Sequence, residues 1–268
     1  MYHPNQSEFY KAIRANDTFL VKRLIKHSQI DPSANYNLAI QLASENGYTE
    51  VVKILLKDPR VDPSAFGDEA IRLASQHGYT EIVKILLKDL RVGGNQAVYY
   101  ASENGHTEIV KALLQDPRVY PSSLDNFALR LASEKGHLDI VKILLKDPRV
   151  DPSKDGNEAL RIALANRNTK VIKLFLQDPR VDPSVYGNYA LRLAVKYGHT
   201  EILKLLLHAM YPFYYSMPRN FNTTPLQTEM EQQLQEIKSV LKLLCIKFTL
   251  PKLIEKKVTD SLISFSVA

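Results

Sequence analysis

Between Asn37 and Val61 the apolar positions fall into two short helical runs of different character. The first places Ala39, Ile40 and Ala43 together, so that two alanines at i and i+4 share one face and permit close packing. The second begins at Thr49 and is apolar at Val51, Val52, Ile54, Leu55 and Leu56. Only Glu50, Lys53 and Lys57 are left as a solvated stripe, which predicts burial on more than one side. Asn37 precedes the first run and is predicted to cap it with a side-chain oxygen. Gly47 is predicted to end that helix in the left-handed conformation, and Pro59 to stop the second.

The arrangement recurs. Asp68, Asn95, Asn126, Asn157 and Asn188 stand where Asn37 does and are predicted N-caps in turn, while Gly78, Gly105, Gly136 and Gly198 stand where Gly47 does. The link after the second helix also returns: DPRVDPS at Asp58 is intact at Asp147 and Asp178, and altered as DLRVGGN at Asp89 and DPRVYPS at Asp116, at intervals of 31, 27, 31 and 31 residues. A period of this size predicts an all-α stacked solenoid, whose units bury their apolar faces on one another and present an extended surface to a macromolecule. One unit breaks the pattern. In ALANRNTK, Arg167 holds the glycine position and Lys170 replaces the acid that opens the second helix, which predicts a local weak point.

The run AIRLASQHGYTEIVKILL from Ala70 resembles the PLHxAAxxGHxxVVxLLL core of the ankyrin repeat. The resemblance covers residues 31–212 as six units, with residues 1–30 as a divergent capping repeat in which Ala12, Leu20, Val21, Leu24 and Ile25 keep register. The DPRVDPS variant, about 31 residues per repeat, is similar to ankyrin arrays of large DNA viruses of amoebae. Departures are equally plain: Asn-x-Ala replaces the family's Thr-Pro opening and Pro-Arg its Gly-Ala, which puts the projecting β-hairpin in doubt, and the unit at Gly93 is four residues shorter still. The resemblance implies that His106, His137 and His199 hydrogen-bond turn backbone rather than ligate metal, and Tyr48 and Tyr79 in the same slot agree. It also implies a concave groove and loop tips as the recognition surface.

Among near-identical units the informative positions are those that vary. At the loop tips and edges of the first helices these include Tyr36, Phe66, Tyr99, Phe127, Tyr186, Tyr189 and Tyr197, aromatics that can bury large area at low entropic cost. Arg72, Arg130, Arg161 and Arg192 share one helix position. Glu69, Glu134 and Glu158 lie within reach of the first three, whereas Arg192 has no carboxylate at those spacings and has Lys196 one turn on. Arg192 and Lys196 therefore complete the candidate partner-binding set, and point to an acidic or phosphorylated protein.

Composition narrows the classes. The formal charge of +6 is spread over fixed repeat positions, so nucleic-acid binding is not expected. No phosphate loop, G-x-S-x-G, HExxH or cysteine pair suggests catalysis, metal or cofactor. The single cysteine, Cys245, fits a reducing, cytoplasmic location (host cytoplasm if viral), and no apolar stretch reaches a membrane span.

Residues 213–268 read as an aromatic linker and C-terminal helices. Leu226, Met230, Leu234, Ile237, Leu241, Leu244 and Phe248 form one apolar stripe, expected to cap the array, with dimerisation through it as the alternative to a monomer. LPKLIEKKVTDSL from Leu250 resembles the opening helix of an F-box. The expectation is a non-catalytic protein-binding module, with a substrate-recruiting adaptor of a ubiquitin ligase as runner-up.

Overall fold

A computed structural model describes residues 5–197 and 199–210, without the side chains of residues 186–188, 195, 196 and 200. Gly198, the aromatic linker, the apolar stripe and the segment resembling an F-box lie outside the described residues. The described residues form fourteen helices and no strand, and they belong to two compact units, one ending at Asp151 and one starting at Pro152.

In the first unit the helices are α1 (Gln6–Arg14), α2 (Thr18–Leu24), α3 (Ala34–Glu45), α4 (Thr49–Leu55), α5 (Ala65–Gln76), α6 (Thr80–Leu86), α7 (Asn95–Glu103), α8 (Thr107–Leu114), α9 (Ser123–Lys135) and α10 (Leu138–Lys146). Odd-numbered helices pack on odd, and even on even, giving two layers. The second unit repeats the scheme with α11 (Lys154–Ala165) on α13 (Val185–Lys196) and α12 (Thr169–Leu176) on α14 (Thr200–Met210). The alanine pairs account for the close inner layer: Ala39, Ala43, Ala70, Ala74, Ala128 and Ala132 are buried. Ile82, Val83 and Leu86 in α6 and Ile140, Val141 and Leu144 in α10 are wholly buried, as expected of helices enclosed on more than one side.

The DPRVDPS link has a physical account. Asp58 accepts bonds from Arg60 N, Nε and Nη2 at 3.0, 2.9 and 2.7 Å. So fixed, the guanidinium donates Nη2 to the Ile25 carbonyl at the end of α2 at 3.0 Å, and Nη1 to the Ile30 carbonyl in the following link at 2.9 Å. Arg118, held by Asp116, does the same to Asp89 and Leu87, and Arg149, held by Asp147, to Val119 and Leu114. A cation thus bridges a carbonyl at the end of the previous unit's second helix, where the dipole favours it, and one in the link that follows. The following valine is a buried anchor, as at Val61, Val92, Val119 and Val150. The second Asp then accepts the Ser N–H and hydroxyl two residues on, as at Asp62 and Ser64, and turns the chain.

The predicted N-caps are corrected. Asn35, Tyr36 and Asn37 are all left-handed, with φ of 54°, 58° and 60°, and Phe66 to Asp68 and Leu124 to Asn126 repeat the conformation. The Asn37 side chain reaches forward instead, its Oδ1 accepting the Asp62 N–H at 2.8 Å. The Asp68 carboxylate likewise takes the Gly93 N–H at 3.1 Å, Asn95 takes the Tyr120 N–H at 2.8 Å, and Asn126 Nδ2 donates to the Asp151 carbonyl at 2.6 Å. Within the second unit Asn157 donates to the Asp182 carbonyl. Every rung spans 25 residues, even across the shortened unit, so the rungs survive the deletion there, which removes the Asp–Ser turn and leaves Gly94 (φ 71°) as the left-handed residue before Asn95. Asn and Asp suit this site twice over, tolerating positive φ and supplying the rung.

The turn glycines fulfil their prediction and add a reason for it. Gly78 has φ of 84°, and a Cβ built on it would lie 2.7 Å from His106 Cε1. His106 Nε2 pairs with the Gln76 carbonyl at 3.0 Å, and His137 Nε2 with the Glu103 carbonyl at 2.9 Å. His106 and His137 bond backbone, as expected, but that of the preceding repeat, whereas the expectation is corrected for His199, whose buried Nε2 has no hydrogen-bond partner.

Candidate interaction surface

Tyr36 and Phe66 stand on successive loop tips of the first unit, 75 % and 68 % exposed, with ring centroids 5.9 Å apart. Both are left-handed, and Tyr36 occupies the position held by Gly67 in the next loop. An L side chain there costs about 1–2 kcal/mol relative to glycine, so this aromatic pair is displayed against a local backbone preference. Leu124, at the position of Phe66 two repeats on, is also exposed and left-handed.

On the helix faces the variable residues contact one another between repeats. Arg72 pairs with Glu69, as the spacing predicts, donating Nε at 2.7 Å. Its guanidinium lies 4.9 Å from the Tyr100 ring centroid in the next unit, and the Glu69 bond leads the causes that raise its pKa above the usual arginine value. Arg130 covers the Phe127 ring at 5.3 Å and donates Nη2 to the Leu124 carbonyl at 3.2 Å. Phe127, half-buried, meets Tyr99 edge-on at 5.3 Å. Tyr99 is thereby corrected as a partner contact: it is only 6 % exposed, because the next repeat's phenylalanine covers it.

In the second unit Arg161 and Arg192 both lie against the half-buried Tyr189 ring, at 5.8 and 5.5 Å from its centroid. Such placements stabilise by about 0.5–1 kcal/mol at exposed sites. Tyr197 is exposed and stacks on His199 at 5.8 Å. The side chains of Tyr186 and Lys196 lie outside the described residues.

Three surface residues escaped the sequence reading. Tyr100 replaces the leucine of other units (Leu42, Leu73, Leu131), Leu90 the proline of DPRVDPS, and Tyr120 its second aspartate. Leu90 and Tyr120 are exposed, and Tyr100 carries Arg72. Each departure from the repeat was a signal available in the sequence.

Formal charge divides unevenly. Residues 1–151 carry nineteen Lys and Arg against nineteen Asp and Glu, whereas residues 152–210 carry nine against five. All the net charge of the described residues therefore belongs to the second unit. Among the described residues no group of His, Cys, Asp and Glu could hold a metal ion, and no helix is long and apolar enough to cross a membrane.

Two layers of short helix pairs, locked by rungs and clamps at a repeating interval, define a helical-repeat stack. A family model described as ankyrin repeats (3 copies) matches residues 58–125 and 129–217, and the chain belongs to that family. Ankyrin repeats indicate a protein–protein interaction module, and the family is typically non-enzymatic. No match was found among curated proteins.

Proposed function

We propose that this chain is a non-catalytic module that holds a protein partner through the loop tips and first-helix faces of its repeats. The observation that carries the reading is the Tyr36–Phe66 pair: two exposed aromatics in contact, on backbone that glycine would occupy at less cost. Rigid aromatics of this kind anchor interfaces because they bury area with little rotamer loss. On the helix faces, Phe127 joins the set in the first unit, and Tyr189, Arg192 and Tyr197 are the corresponding candidates in the second. Residues 31–212 form the binding array on this reading, with residues 1–30 closing its start, and Cys245 as the single cysteine supports a reducing cytoplasmic setting.

Affinity purification from cells, comparing wild type with Tyr36→Ala/Phe66→Ala, tests it. The paired variant is expected to fold and to lose a specific co-purifying protein. Identical protein sets from both, at matched folding, would contradict the loop tips as anchors.

A further inference from the structure

We infer that the loop-tip edge of the first unit receives a basic segment of the partner protein, whose arginines lie on the Tyr36 and Phe66 rings and reach carboxylates of the same loops. The inference rests on the binding-module reading above and names the chemistry of its partner. Three observations converge on this edge. The loops, residues 31–37, 62–68, 93–94 and 120–126, contain Asp31, Asp62, Asp68 and Asp125 and no Lys, Arg or His. The Tyr36 and Phe66 rings, exposed and 5.9 Å apart, stand within that acidic stretch. Asp31 and Asp62 each accept the Ser N–H and hydroxyl two residues on through Oδ1, and among the described residues no hydrogen bond ends on Oδ2 of either.

Although the first unit is neutral as a whole, its charges are sorted by layer. The second helices and their last turns, residues 18–26, 49–57, 80–88, 107–115 and 138–146, hold ten Lys and Arg against four Asp and Glu. The Asp–Arg clamps cancel within themselves, so the surplus of acids falls on the loops, turns and first helices. Clamp arginines offset this edge without reversing it: Arg91 Nη1 lies 3.6 Å from Asp62 Oδ1, but its Nη2 is held by Asp89 at 2.7 Å. Asp31 is held below the ordinary carboxylate range first by its bonds from Ser33, with the charge of Arg60 a smaller contribution.

Rings and carboxylates select the same side chain. An exposed ring attracts a cation over its face, and a guanidinium lying there keeps in-plane N–H donors at its edge for a carboxylate. A neutral apolar segment uses the rings alone, and an acidic one is repelled. A second copy of this chain is the weaker occupant for the same reason, since its loop tips carry the same acids. The acidic or phosphorylated partner expected from Arg192 and Lys196 concerns the second unit; the loops of the first present the opposite charge.

The test uses the full chain and fluorescein-labelled peptides (Arg-Ser)5, (Glu-Ser)5 and (Leu-Ser)5, read by polarisation at low and physiological salt. The arginine peptide is expected to bind and to weaken as salt rises. Its affinity should fall about fivefold or more in Tyr36→Ala/Phe66→Ala, and about threefold or more in Asp31→Asn/Asp62→Asn, where asparagine keeps an acceptor for the serine. Glu50→Gln/Glu81→Gln, which removes as much charge from the second-helix layer, should leave it unchanged. The inference is overturned by no binding of (Arg-Ser)5 above (Glu-Ser)5, by tighter binding of (Leu-Ser)5, or by an unchanged affinity in either loop variant at matched folding. An equal loss in the Gln variant, or a wild-type dimer in sedimentation that Tyr36→Ala/Phe66→Ala dissociates, overturns it too. If the arginine probe fails while the purification above still shows a partner dependent on Tyr36 and Phe66, the module reading stands and only the basic segment falls. If that partner is absent too, both fall.

Discussion

The His106 imidazole fills the space in which a side chain on Gly78 would begin, 2.7 Å from the site of a Cβ, while its Nε2 bonds the Gln76 carbonyl at 3.0 Å. Glycine is therefore required twice, by a φ of 84° and by a ring from the next repeat. Gly47 beneath Tyr79 and Gly105 beneath His137 are built alike.

Gly78→Ala is accordingly expected to cost about 1–3 kcal/mol, from left-handed strain plus displacement of the ring. Urea unfolding of Gly78→Ala, His106→Ala and the double variant checks this. The double variant should lose less than the two single losses combined, because the clash exists only when both side chains are present. Simple additivity would contradict the contact.

Arg167 shows the same site without its glycine. It adopts φ of 59°, keeping the turn, and His199 stands over it in the register of His106 and His137. There the Nε2 is buried with no partner, and burial first, then the charge of Arg167, pushes the imidazole below the usual histidine range. Its folded pKa lies below the unfolded value, so the neutral form is favoured, and stability falls as pH drops through about 6.5. Arg167→Gly should gain about 1 kcal/mol and lessen that pH dependence. Hydrogen exchange in wild type should be faster over residues 166–170 than over 135–139. A glycine variant no more stable than wild type, with uniform exchange, would show the site to be unstrained.

The clamps predict acid sensitivity. Asp147 is held below the ordinary carboxylate range, chiefly by its side-chain bond from Arg149. Its contribution is complete above the unfolded value of about 3.9 and is lost as pH falls through the lower folded value. Asp147→Asn should therefore destabilise by about 1–3 kcal/mol at pH 7 and lose stability less steeply below about pH 4 than wild type. Parallel acid branches in the two proteins would remove the clamp as a source of stability.

Leu144, fully buried in α10, gives a reference for the helix-two layer. Leu144→Ala should cost about 2–5 kcal/mol in chemical denaturation. A loss under about 0.5 kcal/mol, the size of a surface change, would be incompatible with its burial.

What was legible in the sequence was local. The alanine pairs, the apolar second helices and Gly47, Gly78, Gly105 and Gly136 act within a turn of their own positions, so periodicity and turn chemistry sufficed. The Asn37 rung and the Arg60 clamp were misread or unseen because their partners lie 25 to 35 residues away, and become neighbours only when repeats stack. Tyr99 failed for the same reason: nothing in its own helix announces the Phe127 ring that covers it. The loop-tip aromatics Tyr36 and Phe66 were legible as variation, but their left-handed backbone was not.

The most direct measurement of the binding account is site-specific photo-crosslinking in cells, with a crosslinking amino acid placed in turn at Phe66, at Tyr189 and at exposed Lys84 on α6. The account predicts a discrete adduct with one protein from positions 66 and 189, and none with that protein from position 84. Adducts of the same protein at equal yield from all three, or from position 84 alone, would contradict recognition through the loop tips and first-helix faces.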